Sequence, residues 1–228
     1  MAVDTILFDI GWTIIDETEA YRMWNDYLRG RVLELTGRTF SGADLAAFEN
    51  DAITCYAPSS ITYVIWQMVK PDIKLFYMLR REFDSFDCYE HFKIVPGTIN
   101  LLEKLHGRFR LGIAANQRRE VHGFLEKNGI LKYFNSRQVS ADLGYSKPDV
   151  RLFLEVLREL GARPENAIMV GDRQDNDIVP AKLVGMKTIR FLTGQHKFQV
   201  VRYPKEEPDY VLDKLSDMLN IPFIGNRL

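Results

Sequence analysis

The sequence predicts an α/β fold, in which a parallel sheet is doubly wound with helices and carries a small helical insert. Three observations carry this expectation. Short apolar runs of strand length alternate with longer segments of helical spacing. The second half of the chain keeps strand and helix in regular succession, the pattern of parallel βαβ units. From about residue 17 to residue 92 that alternation stops, and amphipathic stretches replace the buried-strand runs.

Each element has its own reason. The apolar runs are Thr5–Phe8, Arg110–Ala115, Ala167–Val170, Thr188–Leu192 and Tyr210–Leu212, and helix candidates lie between them at Thr98–His106, Arg118–Asn128, Asp149–Leu160 and Asp177–Leu183. Within the insert, helical spacing marks Glu19–Thr36, Gly42–Ala57, Ser60–Val69 and Ile73–Asp84. Asp16-Glu17 marks one boundary, and Ile94-Val95-Pro96-Gly97 the other, because Pro and Gly punctuate the return to the sheet. The expected domains are therefore residues 1–16 with 93–228, and residues 17–92. Trp24, Tyr27, Tyr63, Trp66, Phe76 and Tyr77 recur at helical spacings, which predicts a core for the insert rather than a ligand pocket.

Composition narrows the function. The 228 residues, 46% of them hydrophobic, are ample for a buried core. Thirty basic side chains against 31 acidic ones, with no dense basic run, argue against a nucleic-acid partner. The apolar stretches fall short of the ~20 residues of a membrane span, and residues 1–9 lack the basic region and cleavage site of a signal peptide. A cytoplasmic protein without a membrane partner, monomeric or homodimeric, is expected. Cys55 and Cys88 form no CxxC pair, and Cys88 with His91 is two ligands short of a structural zinc site, so both read as reduced, structural thiols.

In doubly wound folds the ligand sits beyond the carboxyl ends of the parallel strands, where loops and helix N-termini converge. Four strand ends carry polar residues there: Asp9, Asn116, the Ser146-Lys147-Pro148 turn, and Gly171-Asp172. Asp9 and Asp172 brought close would repel unless a cation lay between them. Mg²⁺ suits an oxygen-only set better than Zn²⁺, since no His or Cys adjoins these strand ends in the sequence. Lys147 adds a compact positive charge to hold the nucleophile and phosphoryl oxygens. An anionic nucleophile, a metal clamp and a cationic stabiliser are the parts of a phosphoryl-transfer site. Asp175 reads as an acidic residue favoured at a helix N-terminus, and His91, His106, His122 and His196 show no catalytic pattern and receive no role.

Phe8-Asp9-Ile10-Gly11-Trp12-Thr13, Ala114-Ala115-Asn116, Lys147-Pro148 and Val170-Gly171-Asp172-Arg173-Gln174-Asp175-Asn176-Asp177 follow in order the four motifs of the haloacid dehalogenase (HAD) superfamily, which the chain resembles over almost all of its length outside the insert. The resemblance implies a Rossmann-like core and a helical cap inserted after the first motif. It implies that Asp9 is the nucleophile of a hydrolase, forming an aspartyl-phosphate, with Lys147 beside it. By the same resemblance Mg²⁺ would be held by Asp9, the Gly11 carbonyl and Asp172, with Asp177 in the outer shell. Thr13 and Asn116 would help position the phosphoryl group of a small phosphorylated metabolite and the strand-end loops.

Two positions depart from the family pattern. Phosphatases of this family usually carry an acid where Gly11 stands, and glycine has no proton to give to a leaving oxygen. They also carry a Ser or Thr hydroxyl where Ala115 stands, which removes a hydrogen bond to the phosphoryl group. The expected function is a Mg²⁺-dependent phosphatase that favours good leaving groups such as acyl or aryl phosphates. The alternatives are a 2-haloacid dehalogenase-like hydrolase acting on a halogenated metabolite, whose branch also lacks the second acid, and a catalytically impaired binding or regulatory protein.

Overall fold

The computed structural model describes residues 3–227. Met1, Ala2 and Leu228, which fall in the expected domain of residues 1–16 with 93–228, lie outside the described residues. The chain divides into two compact units: one comprises the residues up to Asp16 together with those from Lys93 onward, and the other is Glu17–Phe92.

The strands of the first unit are β1 (Thr5–Phe8), β2 (Ile15–Asp16), β3 (Lys93–Ile94), β4 (Arg110–Ala115), β5 (Ser136–Val139), β6 (Ala167–Gly171), β7 (Lys187–Phe191) and β8 (Tyr210–Leu212). Six of them form a sheet in the order β5-β4-β1-β6-β7-β8, parallel at every pairing, while β2 and β3 form a small antiparallel ribbon. β1 and β6 are buried at every position, as expected of near-continuous apolar runs covered on both faces. β1 lies between β4 and β6, with Phe8 level with Ile113 on one side and Val170 on the other. That register sets the residues after these three strands side by side.

Between β2 and β3 the chain is helical: α1 (Thr18–Thr36), α2 (Gly42–Thr54), α3 (Ser60–Val69) and α4 (Ile73–Ser85), followed by a short 3₁₀ turn at Tyr89–His91. Sequence-local caps start three of these helices. Ser41 and Asp44 form a reciprocal capping box, the Ser59 hydroxyl accepts from Thr62 N, and the Asp72 carboxylate accepts from Leu75 N. Trp24, Leu28, Val32, Leu45, Val64, Ile65, Met68 and Leu79 make this unit's own core. Trp24 is 2% exposed, whereas Tyr27 and Tyr77 are 40% and 56% exposed. The aromatic periodicity therefore marks core for Trp24 but not for those two tyrosines, and the Tyr27 hydroxyl donates to Glu82 at 2.7 Å instead.

The remaining helices are α5 (Thr98–Leu105), α6 (Val121–Lys127), α7 (Ser140–Leu143), α8 (Arg151–Glu159), α9 (Val179–Leu183) and α10 (Pro222–Gly225). α8 lays Leu152, Phe153, Val156 and Leu157 against Leu7, Ala114 and Met169 of the sheet. Three expected helices begin later than their sequence signals, among them α8, which starts at Arg151 rather than Asp149. α6 starts at Val121 rather than Arg118, and Gln174–Ile178 winds as a π-helical turn ahead of α9.

Candidate active site

Asp9 follows β1, and its backbone N donates to Val170 O of β6 at 2.9 Å, which locks the nucleophile candidate to the neighbouring strand end. Asp172 is the first residue past β6. Asp9, Asp172 and Asp177 offer oxygens that all lie within 4.8 Å of one another. Lys147 Nζ reaches into the same place, 2.7 Å from Asp9 Oδ1 and 2.5 Å from Asp177 Oδ1. All four are buried, at 7%, 3%, 1% and 0% exposure for Asp9, Lys147, Asp172 and Asp177.

The local chain explains how charges come to lie so close together. Gly171 leaves room for Asp177 to fold back over the strand end, since a Cβ at position 171 would lie about 2.4 Å from the Asp177 carboxylate carbon, well inside contact distance. Asp177 Oδ2 accepts from Arg173 N at 2.9 Å, so with Oδ1 on Lys147 both of its oxygens are engaged by the chain. The Asn116 amide clasps the backbone of Lys147 at both ends: Nδ2 donates to Lys147 O at 2.9 Å, and Lys147 N donates to Asn116 Oδ1 at 2.8 Å. Asn116 thus fixes the strand-end loop that presents the lysine. Thr13 is fully buried, and its hydroxyl has no hydrogen-bond partner among the described residues.

Burial dominates the electrostatics. It pushes the Asp9 carboxyl up, and although Lys147 draws it down, Asp172 reinforces the upward shift. Asp177 is pushed up to about 6 by burial, with Asp9 adding to the effect against the pull of Lys147. For Lys147, burial works against the charge, but Asp177 and Asp9 outweigh it and hold the ammonium above the ordinary lysine value. Three carboxylates facing one ammonium leave an excess of two negative charges in a buried site. A divalent cation would offset that excess, so the donor set fits such an ion.

One sequence reading needs correction, and that of Asp175, which does lie in the first turn of Gln174–Ile178, needs extending. His196 does adjoin this edge: it is 5% exposed, and its Nδ1 lies 2.9 Å from Asp172 Oδ2. The signal was its position five residues beyond Phe191, at the carboxyl end of β7, the strand next to β6. Asp175 is held not by a helix terminus alone but by an ion pair with Arg173 at 2.7 Å and a hydrogen bond from Gln199 at 2.9 Å. Burial opposes its charge, yet Arg173 and Gln199 outweigh it and keep the carboxyl below its ordinary range.

By fold the chain is a doubly wound α/β protein of Rossmann-like design, a class that places its chemistry past the carboxyl ends of the strands. Within that class it belongs to the haloacid dehalogenase-like hydrolases, whose family model matches residues 6–191. It is 33% identical to a glyceraldehyde 3-phosphate phosphatase of Methanopyrus kandleri over 131 residues, 56% of this chain and 54% of that protein, so the match spans about half of that relative's length. It is 28% identical to the pyrophosphatase PpaX of Bacillus mycoides, over 97% of each chain. In fold it resembles the HAD-hydrolase YfnB from Bacillus subtilis bound to magnesium, at TM-score 0.69 and 19% identity, covering 97% of this chain and 99% of that one. The chain thus belongs to a hydrolase family, and the similar proteins above from Methanopyrus kandleri and Bacillus mycoides are named as a phosphatase and a pyrophosphatase. Among the described residues, no helix is long and apolar enough to cross a membrane.

Proposed function

We propose that the chain is a Mg²⁺-dependent phosphatase of a small phosphorylated metabolite, acting through an aspartyl-phosphate on Asp9, with residues 17–92 as its cap domain. The observation that carries this reading is the buried meeting of Asp9, Asp172, Asp177 and Lys147 at the edge of one sheet. Asp9, Asp172 and the Gly11 carbonyl would hold the ion, an oxygen-only set suited to hard Mg²⁺. Asp177, whose oxygens are already taken by Lys147 and Arg173 N, suits an outer-shell role. The bound ion would supply charge stabilisation to the phosphoryl oxygens.

The chain's own groups account for the rest. Desolvation raises the basicity of the Asp9 carboxyl, while Lys147, 2.7 Å away, opposes that shift and aims the group. An Asp9 oxygen bonds to phosphorus as the bond from phosphorus to the leaving oxygen breaks, its electron pair departing with that oxygen. Lys147 offsets the charge on the transferring group, and the buried Thr13 hydroxyl is available to a phosphoryl oxygen. Gly11 has no proton to offer, so the leaving oxygen takes one from water. Water then attacks phosphorus and releases inorganic phosphate and the Asp9 carboxylate. General acid–base help is worth roughly 10²–10⁴ in rate. Without it at position 11, substrates whose leaving group is already a weak base, such as acyl or aryl phosphates, turn over fastest.

A panel of sugar, nucleotide, acyl and aryl phosphates assayed with and without Mg²⁺ tests the reading, with Asp9→Asn as control. Mg²⁺-dependent phosphate release that Asp9→Asn abolishes is the expected result. Metal-independent chloride release from 2-chloropropionate would assign the site to dehalogenation. Silence on every substrate at high enzyme concentration would leave a catalytically impaired binding protein.

A further inference from the structure

The segment after β7 is bound into the acidic cluster by a chain of buried polar contacts. Arg190, 5% exposed and level with Gly171 in the sheet, donates from Nη2 to His196 O at 2.9 Å and to Gln199 O at 2.7 Å. Gln199 ties the segment to the loop after β6: its Oε1 accepts from Gln174 N at 2.8 Å, and its Nε2 donates to Asp175 Oδ1 at 2.9 Å. Upstream, Gly194 lies against the ring of Trp12, where a Cβ would come within 2.5 Å of a ring carbon. Held in this way, His196 presents Nδ1 to Asp172 Oδ2 at 2.9 Å. An ionised carboxylate can only accept, so the ring nitrogen facing it carries the hydrogen.

We infer that His196 is a positioning residue for the metal site: its Nδ1–H holds one oxygen of Asp172 and fixes that carboxylate in the orientation that brings it to Asp9 and Asp177. The inference rests on the metal-site reading above. A carboxylate left free to rotate loses conformational entropy when it binds an ion, and a buried donor that has already fixed it removes that cost. Partners that orient a ligand in this way typically contribute about 10–100-fold in metal affinity. Arg190 and Gln199 hold the histidine's backbone segment, so their part is indirect.

Calorimetric titration of the metal-free full-length protein with Mg²⁺ separates the possibilities, because it reads the ion and not turnover. His196→Ala is expected to raise the Mg²⁺ dissociation constant by about 10–100-fold. His196→Asn, whose amide N–H falls near the position of Nδ1, is expected to restore affinity to within about threefold of the parent. Equal affinity in the parent and His196→Ala overturns the inference, as does an Asn variant as weak as the Ala variant. Asp172→Asn is the control: if it loses Mg²⁺ while His196→Ala does not, the metal site stands and the role of His196 falls. A parent protein that binds no Mg²⁺ overturns both. Should His196→Ala fail to fold, ring ¹⁵N shifts of the parent decide. The inference requires a protonated Nδ1 and a response to Mg²⁺, and a bare Nδ1 overturns it.

Discussion

In the helical unit, charge stays at the surface and apolar volume does the packing. Arg22 of α1 pairs with Glu19 at 2.7 Å and with Asp26 at 2.9 Å while its side chain remains 60% exposed, and Trp24 between them points into the core. At the carboxyl edge of the sheet the arrangement is reversed. Four charged side chains are packed together at 10% exposure or less, and backbone and amide groups hold them. Exposed pairs of the first kind contribute little, typically about 0–1 kcal/mol. Buried charge of the second kind is costly unless it is paired or binds an ion. The difference teaches where function sits: a fold carries an excess of buried negative charge at a strand edge when a ligand is to offset it.

The sharpest way to break this comparison is to remove one charge from each region. Asp9→Asn should lower phosphatase turnover by at least about 10⁴-fold, with far-ultraviolet circular dichroism unchanged, because the attacking atom is lost. Lys147→Ala leaves three buried carboxylates unneutralised and should destabilise the metal-free protein by about 3–5 kcal/mol in urea, with Mg²⁺ recovering part of the loss. Trp24→Ala should cost a similar ~3–5 kcal/mol, but through a cavity in the helical unit, and Mg²⁺ should recover none of it. Arg22→Ala should change stability by less than about 0.5 kcal/mol. A large effect from Arg22→Ala, or a small one from Lys147→Ala, would erase the contrast.

The two regions should also answer differently to pH. Asp177 is pushed up to about 6 from an ordinary value of 3.8, so the folded state binds its proton more tightly than the unfolded chain does. The linkage sign follows: stability from this group is present at low pH and falls as pH rises between those two values. A proton there also competes with a metal in the cluster. The rise in melting temperature caused by Mg²⁺ should therefore be larger at about pH 7.5 than at about pH 5, as differential scanning calorimetry can measure.

Much of this was legible in the sequence, for physical reasons that differ by element. β1, β4 and β6 stood out because strands buried on both faces are nearly all apolar, and the polar residue ending each run fell at the sheet edge by topology. The edge strand β5 did not stand out, since Ser-Arg-Gln-Val mixes buried and exposed positions over four residues. β2 and β3 are two residues each, too short for any periodicity. His196 escaped because its contact with Asp172 depends on the path of the loop after β7, which Arg190 and Gln199 set through contacts distant in sequence. Asn116 was legible as a strand-end residue, but its grip on the Lys147 backbone spans 31 positions and needed coordinates.

The central claim is that Asp9 itself receives the phosphoryl group. Rapid mixing with an acyl or aryl phosphate and Mg²⁺, acid quenching and peptide mass spectrometry measure this directly. The account predicts one added phosphoryl group on the peptide bearing Asp9, lost on alkaline treatment and absent from Asp9→Asn. Steady phosphate release with that peptide unmodified, persisting in Asp9→Asn, would contradict it.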